Sequence, residues 1–119
     1  MMTKAYKKYS GAGLPVKIAQ EYYSTYDSAE FTVANGQTNY DVKTNVANAF
    51  SNIDKCHSML IRTDRDITIR FNGTSNHAVT LTAVEGSLNI TREMGLEMTS
   101  IYTTNASGAT ANVKIMVFE

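Results

Sequence analysis

The most regular pattern in the chain lies at its end, where Val113, Ile115 and Val117 alternate with Asn112, Lys114 and Met116. A period of two bounded by turn residues marks a half-buried strand. Upstream, Met98 to Thr104 is rich in Thr and also carries Ile and Tyr, and Asn105-Ala-Ser-Gly108 joins the two stretches. Met116 and Phe118 make the second face of the last strand apolar as well. That predicts a central strand, or one covered by a partner chain.

The same period recurs from Ser58 onward. Met59 to Arg62 leads to a turn at Thr63-Asp64-Arg65-Asp66, after which Ile67, Ile69 and Phe71 point one way and Thr68 and Arg70 the other. Asn72 to Asn76 turns the chain again; Val79, Leu81 and Ala83 then alternate with Thr80 and Thr82. After Glu85-Gly86-Ser87, Leu88 and Ile90 alternate with Asn89 and Thr91. Nearer the start, Glu30 to Ala34 alternates and Asn35-Gly36 predicts a hairpin, with Thr38 to Val42 as the return strand. Val42, Val46, Ala49 and Phe50 also form a helical stripe, but Thr44, Asn45 and Asn48 are poor helix formers. That segment reads as one short helix or an irregular crossover. Short strands with turn chemistry between them predict an all-β fold, an antiparallel, jelly-roll-like β-sandwich with at most one short helix. Ile69, Phe71, Leu81, Ile101 and Ile115 are expected to share its core.

Residues 1–28 differ from the rest and read as an extended N-terminal arm, leaving 29–119 as the sandwich. The arm holds five of the seven tyrosines, the only proline, and Gly11 and Gly13. Behind Pro15, residues 17–23 fit a helical turn or two, or an extended segment. Charge separates the same two regions. The formal net charge is zero, yet residues 1–20 carry four lysines and no acid, and the remainder seven basic and eleven acidic residues. A basic, tyrosine-rich arm and an acidic body form a docking pair, within one molecule or between copies. Tyrosine suits such contacts, with a large apolar area and a polar tip. The expected partner-binding residues are Lys4, Tyr6, Lys7, Lys8, Tyr9, Tyr22, Tyr23 and Tyr26 in the arm, with Met116 and Phe118 on the last strand.

At 119 residues the chain forms one domain, and its charged fraction of 18% is low for a soluble protein. Zero net charge gives no global field for nucleic acid or an anionic membrane. A single cysteine, Cys56, removes any intrachain disulfide. The basic start has no apolar run behind it, so synthesis in the cytoplasm is expected. Three matches to the glycosylation acceptor pattern, at Asn72, Asn89 and Asn105, then read as turn and strand residues.

Candidate chemistry is sparse. Cys56 and His57 are neighbours and point to opposite faces of a strand, so they do not share a metal. Asp64-Arg65-Asp66 lacks the further oxygens of a calcium loop and reads as a solvated turn. Glu93 and Glu97 are interleaved with Met94, Gly95, Leu96 and Met98 and read as an exposed strand face or loop. His77 lies in a turn. No phosphate loop, dinucleotide fingerprint or nucleophile elbow is present. No catalytic residue, metal or cofactor is expected.

Arg62-Thr-Asp-Arg-Asp-Ile-Thr-Ile-Arg-Phe-Asn72, Ile101-Tyr-Thr-Thr-Asn-Ala-Ser-Gly108 and Val113-Lys-Ile-Met-Val117 resemble the small β-sandwich virion proteins of tailed bacteriophages. These are head decoration (cement) proteins and tail or baseplate accessories. The likeness covers residues 58–118 and rests on the texture of Thr/Asn-rich strands. It implies a non-enzymatic homo-oligomer located in the virion and bound to the major capsid protein or other virion proteins. A carbohydrate-binding host-recognition module, with exposed Tyr and Asn contacting sugar, is the alternative of a different class.

Overall fold

The computed structural model describes residues 25–119. In it the alternating segments form β1 (Tyr26–Val33), β2 (Tyr40–Asp41), β3 (Ser58–Thr63), β4 (Ile67–Phe71), β5 (Val79–Leu81), β6 (Ser87–Ile90), β7 (Ile101–Thr104) and β8 (Ala111–Phe118). A single helical turn, α1 (Val42–Asn45), follows β2, and a 3-10 turn spans Arg92–Met94. Asp41 caps α1 by accepting hydrogen bonds from the Thr44 N–H at 3.2 Å and the Thr44 hydroxyl at 2.8 Å. The helix stops after one turn at Asn45, and Val46 is already extended. Both readings of 41–50 therefore apply in turn: a short helix, then an irregular crossover that buries Ala49 and Phe50.

The pairing follows one rule. β4 pairs with β5, β3 with β6, β2 with β7 and β1 with β8, all antiparallel. The chain is thus one long hairpin, turned at residues 72–78 and rolled up so that β8 also pairs with β3 and β7 with β4. Two four-stranded sheets result, in the orders β1-β8-β3-β6 and β2-β7-β4-β5. That is the jelly roll, two sheets face to face built from wrapped antiparallel pairs. β8 is central in its sheet, as its two apolar faces predict.

The inward sides of the sheets form one core. Met59 and Ile61 of β3 and Val113, Ile115 and Val117 of β8 meet Ile67, Ile69 and Phe71 of β4, Leu81 of β5 and Ile101 of β7. Each of these side chains contributes about 1.5–3 kcal/mol through burial. The five residues expected to share the core all do. Val79 and Ala83 do not: Val79 is 37% exposed on the edge strand β5, and Ala83 lies in the turn after it.

Two expected connections are corrected. Asn35-Gly36 does turn the chain, with Gly36 at φ +88°, but β1 and β2 do not form a hairpin. Likewise Asn105 to Gly108 joins β7 to β8 in the opposite sheet. These turns are arches between sheets. Asn105 fastens both: fully buried, it donates from Nδ2 to the carbonyls of Val33 and Ala109, each at 2.8 Å, while its backbone exchanges bonds with Gly36 and Gln37. A local hairpin cannot compete with the β1–β8 ladder, which pairs all eight residues of each strand. The arm boundary also moves, since Tyr26, Asp27 and Ser28 are the first residues of β1.

Candidate functional site

The sheet β1-β8-β3-β6 turns one face to the core and the other outward. The register lays the outward residues in rows across the strands. One row is Tyr26–Phe118–Ser58, and the next is Ser28–Met116–Leu60–Asn89. A third is Glu30–Lys114–Arg62–Ser87, and a fourth pairs Thr32 with Asn112. One end of this face is therefore apolar and the other charged and polar.

At the apolar end Tyr26 is 56% exposed, and Phe118, Met116 and Leu60 are half-buried. Their adjacency follows from register: Tyr26 lies opposite Phe118, Met116 lies two residues along on the same face, and Leu60 lies opposite Met116. In the charged row Lys114 Nζ sits 3.6 Å from Glu30 Oε2, with Arg62 on its other side. Glu30 thereby offsets the Lys114–Arg62 repulsion, a small contribution at an exposed site. An open groove of about 500 Å³ runs over this polar half, lined by Glu30, Thr32, Arg62, Asp64, Asn112 and Lys114 among others.

The opposite sheet presents a different surface. Thr80, Thr68 and Thr104 line up across β5, β4 and β7, with Arg70 opposite Tyr102 in the adjoining row. Arg70 is held by the Asn76 carbonyl at 2.9 Å and by Asn39 Oδ1 at 3.1 Å. This face is polar, and its groove, lined by Asp66, Thr68, Thr80, Thr104 and Ser107 among others, encloses about 360 Å³.

Of the expected partner-binding residues, Lys4, Tyr6, Lys7, Lys8, Tyr9, Tyr22 and Tyr23 lie outside the described residues. Tyr26, Met116 and Phe118 come together on one face, and Leu60 joins them. Leu60 was legible only as a strand residue, because its role depends on lying opposite Met116.

The titratable candidates lie apart from that face or at its polar rim. Cys56 is fully buried, and burial pushes its thiol up to about 11. His57 points the other way, with Nε2 3.3 Å from Glu97 Oε2. Asp64 accepts from the Asn112 side chain and backbone N–H, both at 2.7 Å, which holds its carboxyl below the usual value. Asp66 accepts from the Ala83 N–H at 2.7 Å. Both acids of this turn thus fasten neighbouring segments. Among the described residues no group of three or more His, Cys, Asp or Glu is placed to hold a metal ion. No helix among them is long and apolar enough to cross a membrane.

One buried acid escaped the sequence reading because it stood in the stretch taken for the arm. Asp27 is 4% exposed and points inward from β1. It accepts from the Ser51 hydroxyl at 3.1 Å, the Asn52 N–H and Nδ2 at 2.9 Å, and the Ile53 N–H at 2.9 Å. An inward acid surrounded by donors is a fastener for the 51–53 loop.

Comparison with known proteins finds no matching family model, and no curated protein or solved structure matches the chain.

Proposed function

We propose that this chain is a non-enzymatic structural protein of a virion, self-associating and bound to a phage capsid lattice as a decoration protein. The observation that supports this most is the outward apolar strip of Tyr26, Phe118, Met116 and Leu60, presented on a rigid sheet whose other side packs the core. An apolar strip rimmed by charged residues is the composition of a protein-docking surface. The jelly roll itself recurs in viral capsid and lectin domains, an analogy at the level of fold alone. The carbohydrate reading draws less support, because the Thr-lined groove of the other sheet holds no aromatic ring on which a sugar could stack.

Purified particles are the test. Mass spectrometry and electron cryomicroscopy should find the protein at symmetric positions on the capsid. Its absence from particles, or its presence only as free protein in the lysate, would sink the reading. Changing Leu60 and Met116 to Thr should weaken particle binding at least tenfold, about 1.4 kcal/mol, with the thermal unfolding midpoint little changed.

A further inference from the structure

The four edge strands of the sandwich are unequal. β2 has two residues, β5 three and β6 four, whereas β1 has eight. Short edges protect a sheet from unwanted pairing, and a long one is a template for another strand. Among the described residues β1 pairs with β8 and with no other strand. In an antiparallel ladder alternate residues direct their N–H and C=O groups away from the partner, so β1 offers a row of such groups along its free side. The usual protections are missing there: β1 contains no Pro and no Lys, and its one outward acid, Glu30, leans toward Lys114 of β8. Phe31 faces inward and stacks on Tyr40 with ring centroids 6.2 Å apart, yet it remains half-buried because the sheet ends beside it.

We propose that β1 pairs antiparallel with β1 of a second copy about a two-fold axis at Phe31, joining two four-stranded sheets into one of eight strands. This names the mode of the self-association proposed above and rests on that reading. The axis follows from physical constraints. Outward residues must oppose outward residues, since a slip by one turns every side chain over. The axis therefore passes through a residue. At Glu30 it would set two carboxylates directly opposite each other, which is destabilising. At Ser28 or Ala29 it would pair the start of the strand, where Asp27 is engaged by Ser51, Asn52 and Ile53. At Phe31 every opposed pair is compatible: Phe31 meets its copy, Ala29 meets Val33, and Glu30 meets Thr32. The half-buried Phe31 ring then gains cover on its open side.

Disulfide trapping of the full chain tests this. Cys56 is fully buried, so introduced thiols are the ones that react. In the Glu30→Cys/Thr32→Cys variant the two thiols face those of the second copy, and mild oxidation should shift most of the protein from one-chain to two-chain mass on a non-reducing gel. The Ser28→Cys/Glu30→Cys variant, matched to an axis at Ala29, should remain mostly one-chain. Efficient trapping of that second variant in place of the first would overturn the axis. A protein that stays monomeric and untrapped would overturn the pairing, as when residues 1–24 of the same chain cover the edge. An oligomer that neither variant traps would also overturn it, while leaving the virion reading standing, since that is decided on particles.

Discussion

Asp27→Ala is expected to destabilise the sandwich by about 3–5 kcal/mol. The figure follows from the four donors gathered on the carboxylate. Ser51 and Asn52 are exposed, so their hydroxyl, N–H and amide groups find water when the acceptor is removed. Each then costs roughly 0.5–1 kcal/mol. Ile53 is 3% exposed, and its N–H has no such recourse. Leaving a buried donor unpaired costs about 1–3 kcal/mol. Against a total stability of about 5–15 kcal/mol this is a large fraction. Urea unfolding of the full chain, followed by circular dichroism, is the assay. With a slope of about 2 kcal/mol per molar urea, the midpoint should fall by about 2 M. Ser51→Ala should cost only about 1 kcal/mol, and Asp27→Asn should fall between the two because its amide sets a donor against donors. A shift below about 0.5 M for Asp27→Ala would mean that the carboxylate does not hold the 51–53 loop, and the assignment of Asp27 as a fastener would fail.

Phe71, 9% exposed in the core, should cost about 3–5 kcal/mol when changed to Ala; a loss under ~1 kcal/mol would contradict its packing. Thr103 is fully buried, and its hydroxyl has no hydrogen-bond partner among the described residues. Thr103→Val keeps the shape and should raise stability by about 1–2 kcal/mol in the same urea assay, whereas a loss would reveal a partner for the hydroxyl. Cys56 should resist thiol reagents until the protein unfolds. Burial keeps the folded thiol neutral up to about 11 against an ordinary 9.0, so its contribution is complete below pH 9.0 and is lost as the pH rises through 11. A Cys56→Ala variant should lack that alkaline decline, and equal declines in both proteins would count against it. The carboxyl of Asp64, read by NMR titration, should have a midpoint below 3.8, and Asn112→Ala should move it upward because the Asn112 amide is the main cause of the depression.

What the sequence made legible was the face of each residue; what it hid was the sheet. Alternation placed Ile67, Ile69 and Phe71 in the core and put β8 in the middle of its sheet, because a period of two reports inside against outside. It does not report which strand lies alongside. Asn35-Gly36 has hairpin chemistry, yet the strands it separates join opposite sheets, because β1 finds an eight-residue match in β8 and β2 has only two residues to offer. That choice is non-local and has no signature in a short window. The partner-binding face was half legible for the same reason. Met116 and Phe118 announce themselves by making a second apolar face, but Tyr26 and Leu60 join them only through pairing. Asp27 was lost to the arm because Tyr26-Asp-Ser has no alternation of its own; its strand character comes from β8.

The two outward faces of the sandwich argue together about which of them meets a partner. A jelly roll joins most of its consecutive strands across sheets, so its arches need fasteners other than hairpin ladders. Here Asp27, Asp64, Asp66, Asn72 and Asn105 supply them, each accepting from or donating to the backbone of a distant segment. That accounts for much of the Asn and Asp in a chain with few charged residues, and it leaves those side chains occupied. The outer face of the β2-β7-β4-β5 sheet is likewise occupied: Arg70 is held by Asn39 and Asn76, and Thr104 accepts from the Asn39 N–H. The apolar strip on the other sheet performs no such task. Leu60 and Met116 lie on the far side of their strands from the core, and neither fastens an arch. Water is a poor partner for that strip, and fold stability alone would be as well served by threonine at both positions. The prediction is therefore asymmetric. Thr substitutions at Leu60 and Met116 should spare the unfolding midpoint and weaken association, whereas Arg70→Ala should lower the midpoint and leave association unchanged. The opposite pattern, with association lost on Arg70→Ala and kept on the Leu60/Met116 change, would move the interface to the other sheet.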